Sequence, residues 1–496
     1  MFARNLVAIL LALVCCASCG DDDNGTAPGT DTTAPQVAFL QPLHGATVTA
    51  GPVPLRAQAT DNVAVAKVEF YAGGTKIGED TSGAASVFEF TWNAAGLANG
   101  SQHALRARAI DTSGNQAEAT ITVTICPCPA GPTYHSENIA ANETWRACCN
   151  PHIVTTHLYI ENGATLTIQP GCVVRFAPDA DAGITCGWSP GTGGLIAVGK
   201  ADSTILFTSN ASTPAPGDWF GFGFHDGTFT TTRFSYCTIE YAGSADVPAI
   251  LLDFGAVVRM DHSTLRYSAG KGISYFQQGS HMAQFANNTI TGCADVPFEV
   301  EAEYVRELGT GNAFTGNAAG KNAIMVYQAV VETSGTWRNQ GVPYRFADGH
   351  GMGIGHQTGS AVVTIAPGTV IEMGLDSFID IGYTTNGGLI AEGTAANPIV
   401  FTSAQTLPQP GDWRHIYFAF GAIGAQCRMA HCRVEYGGNS GENILVWDAQ
   451  PTIAGCQIRH SAAWGITLAG EHPDRAAIEA ANSFAGNAAG DVRVLE

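Results

Sequence analysis

Gly193-Gly194-Leu195-Ile196-Ala197 returns as Gly387-Gly388-Leu389-Ile390-Ala391, and Phe207-Thr208-Ser209 returns as Phe401-Thr402-Ser403. Pro216-Gly217-Asp218-Trp219 returns as Pro410-Gly411-Asp412-Trp413, with the same offset (410 − 216 = 387 − 193 = 194). A duplication this long marks a solenoid or array. The copies extend outward: Thr144-Trp145-Arg146 matches Thr336-Trp337-Arg338, and Glu240-Tyr241 matches Glu435-Tyr436. Near the end Asn312, Phe314, Gly316 and Asn317 match Asn482, Phe484, Gly486 and Asn487. The offset there is 170 (482 − 312) against 193 upstream (459 − 266), so the second copy is shorter by 193 − 170 = 23. A segment that drops out cleanly is one structural unit, and that length suits one coil of a parallel β-helix.

The local pattern agrees. Cys172-Val173-Val174-Arg175-Phe176 and Cys237-Thr238-Ile239-Glu240-Tyr241 alternate with a period of two, one face apolar and the other wet. Register between coils is also readable. Cys237, Ile239, Glu240 and Tyr241 align with Ser263, Leu265, Arg266 and Tyr267 at one constant offset (263 − 237 = 267 − 241). Cys432, Val434, Glu435 and Tyr436 align with Cys456, Ile458, Arg459 and His460 in the same way (456 − 432 = 460 − 436). A Glu should therefore lie beside an Arg in both copies. The 59 Gly and 23 Pro supply corners, and no long amphipathic helical run competes.

Phrases of the type ATLTIQPG (Ala164 to Gly171), PIVFTS, PGDW and NAFTGN carry a resemblance. Residues 138–496 resemble the right-handed parallel β-helix (pectin-lyase-like) domains of bacterial surface proteins, in copies 138–330 and 331–496. The resemblance implies architecture more than chemistry, because that fold hosts polysaccharide lyases, adhesins and stalks alike.

The N-terminus gives an address. Arg4 precedes an apolar stretch, Leu6 to Val14, that is too short to span a bilayer and reads as a secretory signal. Cys16-Ala17-Ser18-Cys19 resembles a bacterial lipoprotein box, although Cys16 stands where Leu is usual. The resemblance implies a signal peptide over 1–18 and a lipid on Cys19, with an ordinary cleaved signal as the alternative. Gly20 after the modified residue implies the outer membrane by the same resemblance, facing either periplasm or exterior. The acidic Gly/Thr-rich stretch 19–33 reads as a tether.

Residues 34–125 form a second module. Asp61 to Tyr71 (DNVAVAKVEFY) and Ala109 to Asn115 (AIDTSGN) resemble a bacterial immunoglobulin-like domain, and the strand count fits a β-sandwich. Asp61, Asn62, Asp111 and Asn115 are turn formers that could also hold calcium at a domain end. The expected fold is all-β throughout.

Forty-three acidic residues against 23 basic give a formal charge of −20. That excludes nucleic acid as a partner and disfavours polyanionic glycans. Arg259, Arg266 and Lys271 are the nearest approach to a basic groove, and Arg266 is expected to pair with Glu240. In an exported chain Cys126, Cys128, Cys148 and Cys149 are disulfide candidates flanking the linker 126–137. A zinc site is the alternative there, although the spacings suit it badly. Cys172, Cys237, Cys432 and Cys456 share the parity of the apolar residues and read as core, while Cys172 with Cys186 is a further possible pair.

No nucleophile elbow, zinc-protease helix or nucleotide loop is present. Asp348, His350 and His356 are candidate metal ligands in a Gly-rich run, and Asp218 and Asp412, repeated at a turn, serve the fold. Glu299, Glu301 and Glu303, on alternating positions, are expected to share a strand face where calcium would relieve their repulsion. His415 and Tyr417 replace Gly221 and Gly223 of the first copy and are candidate glycan-stacking residues. The chain is expected to be a surface lipoprotein whose β-helix is a non-catalytic binding or structural rod, for glycans or adhesion. A calcium-dependent lyase or glycan hydrolase on the same helix is one alternative, and a scaffold for surface protein assembly is another.

Overall fold

The computed structural model describes residues 31–128, 131–188, 191–276, 279–355 and 359–495. Cys19, the signal, most of the tether and His356 lie outside the described residues. The chain divides into two compact units, residues 1–126 and 127–496.

The first unit is a sandwich of two sheets. One holds Gln36–Gln41, Pro52–Thr60 and Val87–Asn93 in antiparallel register. The other has five strands, Thr47–Val48, Gln116–Ile125, Gln102–Asp111, Val65–Ala72 and Thr75–Asp80. Strict alternation in Pro52–Thr60 turns Val53, Leu55, Ala57 and Ala59 inward to meet Phe70, Trp92, Leu105 and Val123. With no cysteine among those core residues, apolar burial holds this unit together.

The second unit is a parallel β-helix. A sheet of 13 strands runs its length, from His157–Ile160 to Ser483–Ala485. Six- and eight-stranded sheets complete the prism in the first half, and seven- and five-stranded sheets complete it in the second. Strand pairs throughout the described coils are parallel, as expected for rung on rung. The expected register holds. Ile239 pairs with Leu265 and Glu240 with Arg266, while Val434 pairs with Ile458 and Glu435 with Arg459. The segment missing from the second copy is one coil. Thr264–Arg266, Thr289–Thr291 and Ala313–Thr315 are successive rungs, whereas Gln457–Arg459 lies directly beside Ser483–Ala485.

Three features depart from the expectation. Pairing begins earlier than residue 138, because Thr133–His135 already stacks beside His152–Val154. That short strand is half-exposed and carries no apolar alternation to announce it. Second, the halves are turned by one face. Ile205–Ser209 lies in the eight-stranded sheet, but its counterpart Ile399–Ser403 lies in the long sheet. Trp219–Phe224 lies in the long sheet, and its counterpart Ile416–Phe418 lies in the seven-stranded one. The step from Ile324 to its partner Tyr344 is shorter than the step that brings Phe298 to Ile324. Third, Cys172 and Cys186 do not pair. Both thiols are free and fully buried, packed as small core residues on different faces of the helix.

Candidate functional site

Residues repeated in both halves are spent on the fold. Asp218 accepts a hydrogen bond from Ser209 Oγ (2.5 Å) and from the backbone N–H of Ala215. Asp412 does the same with Ser403 and Gln409. The tryptophans that follow are wholly buried, and each donates its indole N–H to a carbonyl one coil away, Trp219 to Glu240 and Trp413 to Glu435, both at 2.9 Å. Glu240 is held by Arg266 at 2.6 Å and Glu435 by Arg459 at 2.6 Å. Arg266 is thus paired, and Lys271 pairs with Glu299 at 2.8 Å, so neither is part of a free basic groove.

The alternating glutamates Glu299, Glu301 and Glu303 do not converge. The strand Phe298–Glu301 ends after the second of them, and a 3-10 helix, Ala302–Glu307, carries Glu303 away. Glu299 is taken up by Lys271 and by the Tyr327 hydroxyl at 2.9 Å. Glu303 pairs with Arg306 and accepts the backbone N–H of Glu332. Glu301 is buried, with one oxygen on the Gly279 N–H and the other without a hydrogen-bond partner among the described residues. Burial pushes its pKa up. It lines a cavity of about 440 Å³ together with Glu303, Tyr304 and Glu332.

Among the described residues the carboxylates that do converge are Asp31, Asp61 and Asp111, whose oxygens lie within 4.8 Å of one another. This set could hold a cation in the sandwich. Asn62 and Asn115 donate amide N–H groups to Asp31 and Asp111. Asp348 accepts the Leu375 N–H and His350 the Gln328 N–H, so both are engaged by backbone. Cys126, Cys128, Cys148 and Cys149 are disulfide-bonded, which removes the thiolates a zinc ion would need. The Cys128–Cys149 bond joins Cα atoms 5.4 Å apart across a sequence separation of 21.

His415 is not a stacking surface. Its ring lies between Asp380 (3.3 Å) and Glu442 (3.8 Å), with Ser440 Oγ 2.7 Å from Nδ1. Burial works against its charge, but the two carboxylates outweigh burial and raise its pKa. Tyr417 sits beside Tyr383, ring centroids 5.8 Å apart.

A site the sequence reading missed lies at a corner of the first half. His225 and Asp253 occupy the same corner position on successive coils, their backbone N–H groups bonding the ends of the preceding strands at Cys186 and Phe224. Trp188, Asp226 and Phe254 take the next position on three successive coils. Trp188 is 57% exposed and Phe254 50%, while His225 and Asp253 beneath them are 5% and 6% exposed. Trp188 stands edge-on to His225 with centroids 4.4 Å apart, and His225 Nδ1 is 3.7 Å from Asp253 Oδ2. Trp188, His225, Asp226 and Phe254 line a cavity of about 340 Å³. Burial lowers the His225 pKa and raises that of Asp253. The arrangement offers two apolar ring faces, an imidazole and a buried carboxyl.

The signal that could have found it is the duplication itself. Gly187 and Gly382 accept equivalent hydrogen bonds, from Gly227 and Gly421, so Trp188 corresponds to Tyr383 and His225 to Ala419. Asp253 corresponds to Trp447 and Phe254 to Asp448, from the pairing of Phe224 with Leu252 and of Phe418 with Val446.

Residues 35–107 match the bacterial Ig domain family. Fibronectin(III)-like modules of Clostridium thermocellum CbhA align at 26% identity, over 18% of this chain and 97% of theirs, with a TM-score of 0.17. An endo-beta-1,4-mannanase from Thermotoga petrophila aligns at 16% identity, over 20% of this chain and 21% of that one, with a TM-score of 0.17. A pectate lyase from Pectobacterium carotovorum aligns at 12% identity, over 74% of this chain and 88% of that one, with a TM-score of 0.13. Scores this low carry no argument about activity. No curated protein matches the chain. The chain joins a bacterial Ig-like domain to a parallel β-helix.

Proposed function

We propose that the chain is an exported lipoprotein, held at the outer membrane through Cys19 and its acidic tether, whose Ig-like module is a spacer and whose β-helix is a non-catalytic binding rod for glycans at the cell surface. The observation that carries this reading is the use made of the repeated polar residues. Asp218, Asp412, Glu240 and Glu435 are all consumed in internal pairs that lock neighbouring segments of the coils. A catalytic coil would break such a repeat with acids left open to substrate. The half-exposed aromatic corner supplies the binding face, because aromatic rings stack on the apolar faces of sugars.

A second reading, a glycan lyase or hydrolase, is favoured by Glu301, a buried carboxyl of raised pKa beside a cavity. The experiment that separates them incubates the purified full-length protein with a panel of polysaccharides, with and without calcium. Retention and new products are recorded together. Retention without product is expected; unsaturated or reducing-end product that disappears in Glu301→Gln overturns the rod reading in favour of the enzyme. Labelling with a fatty acid, expected in the wild type and lost in Cys19→Ser, tests the anchor.

A further inference from the structure

Corner residues of this β-helix are forced into a left-handed backbone. Phe254 has φ +51° and its second-half counterpart Asp448 has φ +50°. Asp tolerates that conformation through its short polar side chain, whereas a bulky aromatic residue is disfavoured there. Other corners also carry aromatic residues at positive φ, Tyr241 and Tyr436 among them; here the second half has Asp where the first places a half-exposed ring from which the core gains little. The neighbouring coils add to the pattern. Trp188 is presented two coils away from Phe254, about 10 Å along the axis at the usual strand spacing. Between them lies the buried pair His225 and Asp253.

The geometry points to a binding site for one neutral hexopyranose unit of a glycan chain, flanked by Trp188 and Phe254 and hydrogen-bonded by His225 and Asp253. This rests on the rod reading above and names the ligand class it serves. The cavity, about 340 Å³, is at the small end of ligand sites and suits one sugar ring rather than an extended ligand. Each aromatic face would cover an apolar C–H face of the sugar. His225 offers one donor and one acceptor when neutral, and the Asp253 carboxyl accepts from hydroxyls. Charge chooses among sugars. Asp226 lines the cavity, Asp253 lies behind its His225 wall and, among the described residues, no Lys or Arg lines it, so a uronate carboxylate would meet uncompensated negative charge. Phe276, 72% exposed, follows Asp253 at the same corner position one coil further, and extends the apolar edge for the next unit of the chain.

The test is calorimetric titration of the full-length protein in detergent with mannohexaose, cellohexaose and laminarihexaose, and with hexagalacturonate as the anionic control. Saturable binding of at least one neutral oligosaccharide is expected, with none of the galacturonate. Trp188→Ala and Phe254→Asp should each weaken binding about tenfold or more, with unchanged thermal unfolding. Phe254→Asp installs the residue the second half already carries, so its fold is safe. Neutral binding that survives both substitutions overturns the site while leaving the rod reading standing. Tighter binding of galacturonate overturns the selectivity. Failure of the wild type to bind any of these sugars, together with retention of other polysaccharides in the panel, overturns this site alone; failure with every glycan overturns both.

Discussion

The two halves of the β-helix share a scaffold and differ sharply at a corner of the first half. In the first half that corner carries Trp188, His225, Asp253 and Phe254, two open aromatics over a buried imidazole and carboxyl. In the second the same positions hold Tyr383, Ala419, Trp447 and Asp448. Tyr383 and Trp447 remain exposed, but the polar floor has gone and Ala419 is fully buried. The shared scaffold residues coincide down to single hydrogen bonds, as the indole N–H groups of Trp219 and Trp413 demonstrate. What is repeated builds the rod, and what is not repeated is where a specific ligand can be read.

The comparison breaks most severely if the shared scaffold residues are unequal. Trp219→Ala and Trp413→Ala should each cost about 3–5 kcal/mol, the usual range for emptying a fully buried tryptophan site. Denaturant unfolding of the two variants should give shifts of similar size. A tolerated substitution in one half only would refute the equivalence.

The ends of the rod differ more than its middle. The first coil is stapled by Cys128–Cys149, whereas a short helix, Arg475–Ala481, lies near the other end with Asp474 capping the Ala477 N–H. Closing a loop of this length in the unfolded chain is worth about 3 kcal/mol. Replacing Cys126, Cys128, Cys148 and Cys149 together by Ser, so that neither bond closes this loop, should therefore destabilise the β-helix by at least that amount in denaturant unfolding, and proteolysis should then begin near residue 150.

A finer contrast separates the two glutamate ladders. Glu240 has Arg266 as its ion-pair partner, whereas Glu435 has Arg459 and also Arg433 at 3.2 Å. Arg266→Ala should cost about 1–3 kcal/mol by leaving a buried carboxylate short of its charged donor, and Arg459→Ala distinctly less. Equal losses would remove Arg433 from the account.

The smallest effect is a pH dependence of opposite sign in the two halves. His415 titrates above its ordinary value, so its contribution is fully present below about pH 6.5 and is lost as pH rises through its folded pKa. His225 titrates below its ordinary value, so its contribution is present above about pH 6.5 and is lost as pH falls through its folded pKa. His135 adds to the second trend in the first half, because burial and then His152 lower its pKa to about 4. His415→Gln should flatten the alkaline limb of a plot of urea midpoint against pH and leave the acid limb intact.

Much of the fold was legible from the chain because coil stacking is periodic. The alternation in Cys237 to Tyr241, the Glu240–Arg266 register and the missing coil all follow from spacing alone. The part that was not legible is geometric. Nothing in the duplicated phrases announces that the second half is turned by one face. The alternating glutamates were misread because the strand stops at Glu301 and Lys271, one coil earlier, already neutralises Glu299. His415 was read as a ring for stacking because its acids, Asp380 and Glu442, are distant in sequence. The corner pocket was hidden for a related reason. Trp188, His225 and Phe254 are ordinary residues until three coils bring them together, and only their replacement in the second copy distinguishes them.

The most direct test of the account is a crystal structure of the protein soaked with the neutral oligosaccharide that binds it best, comparing the two equivalent corners in one molecule. A sugar ring is expected between Trp188 and Phe254, in contact with His225 and Asp253, and none ordered over Tyr383 and Trp447. A ring bound at the second-half corner, or at a position shared by both halves, would contradict it.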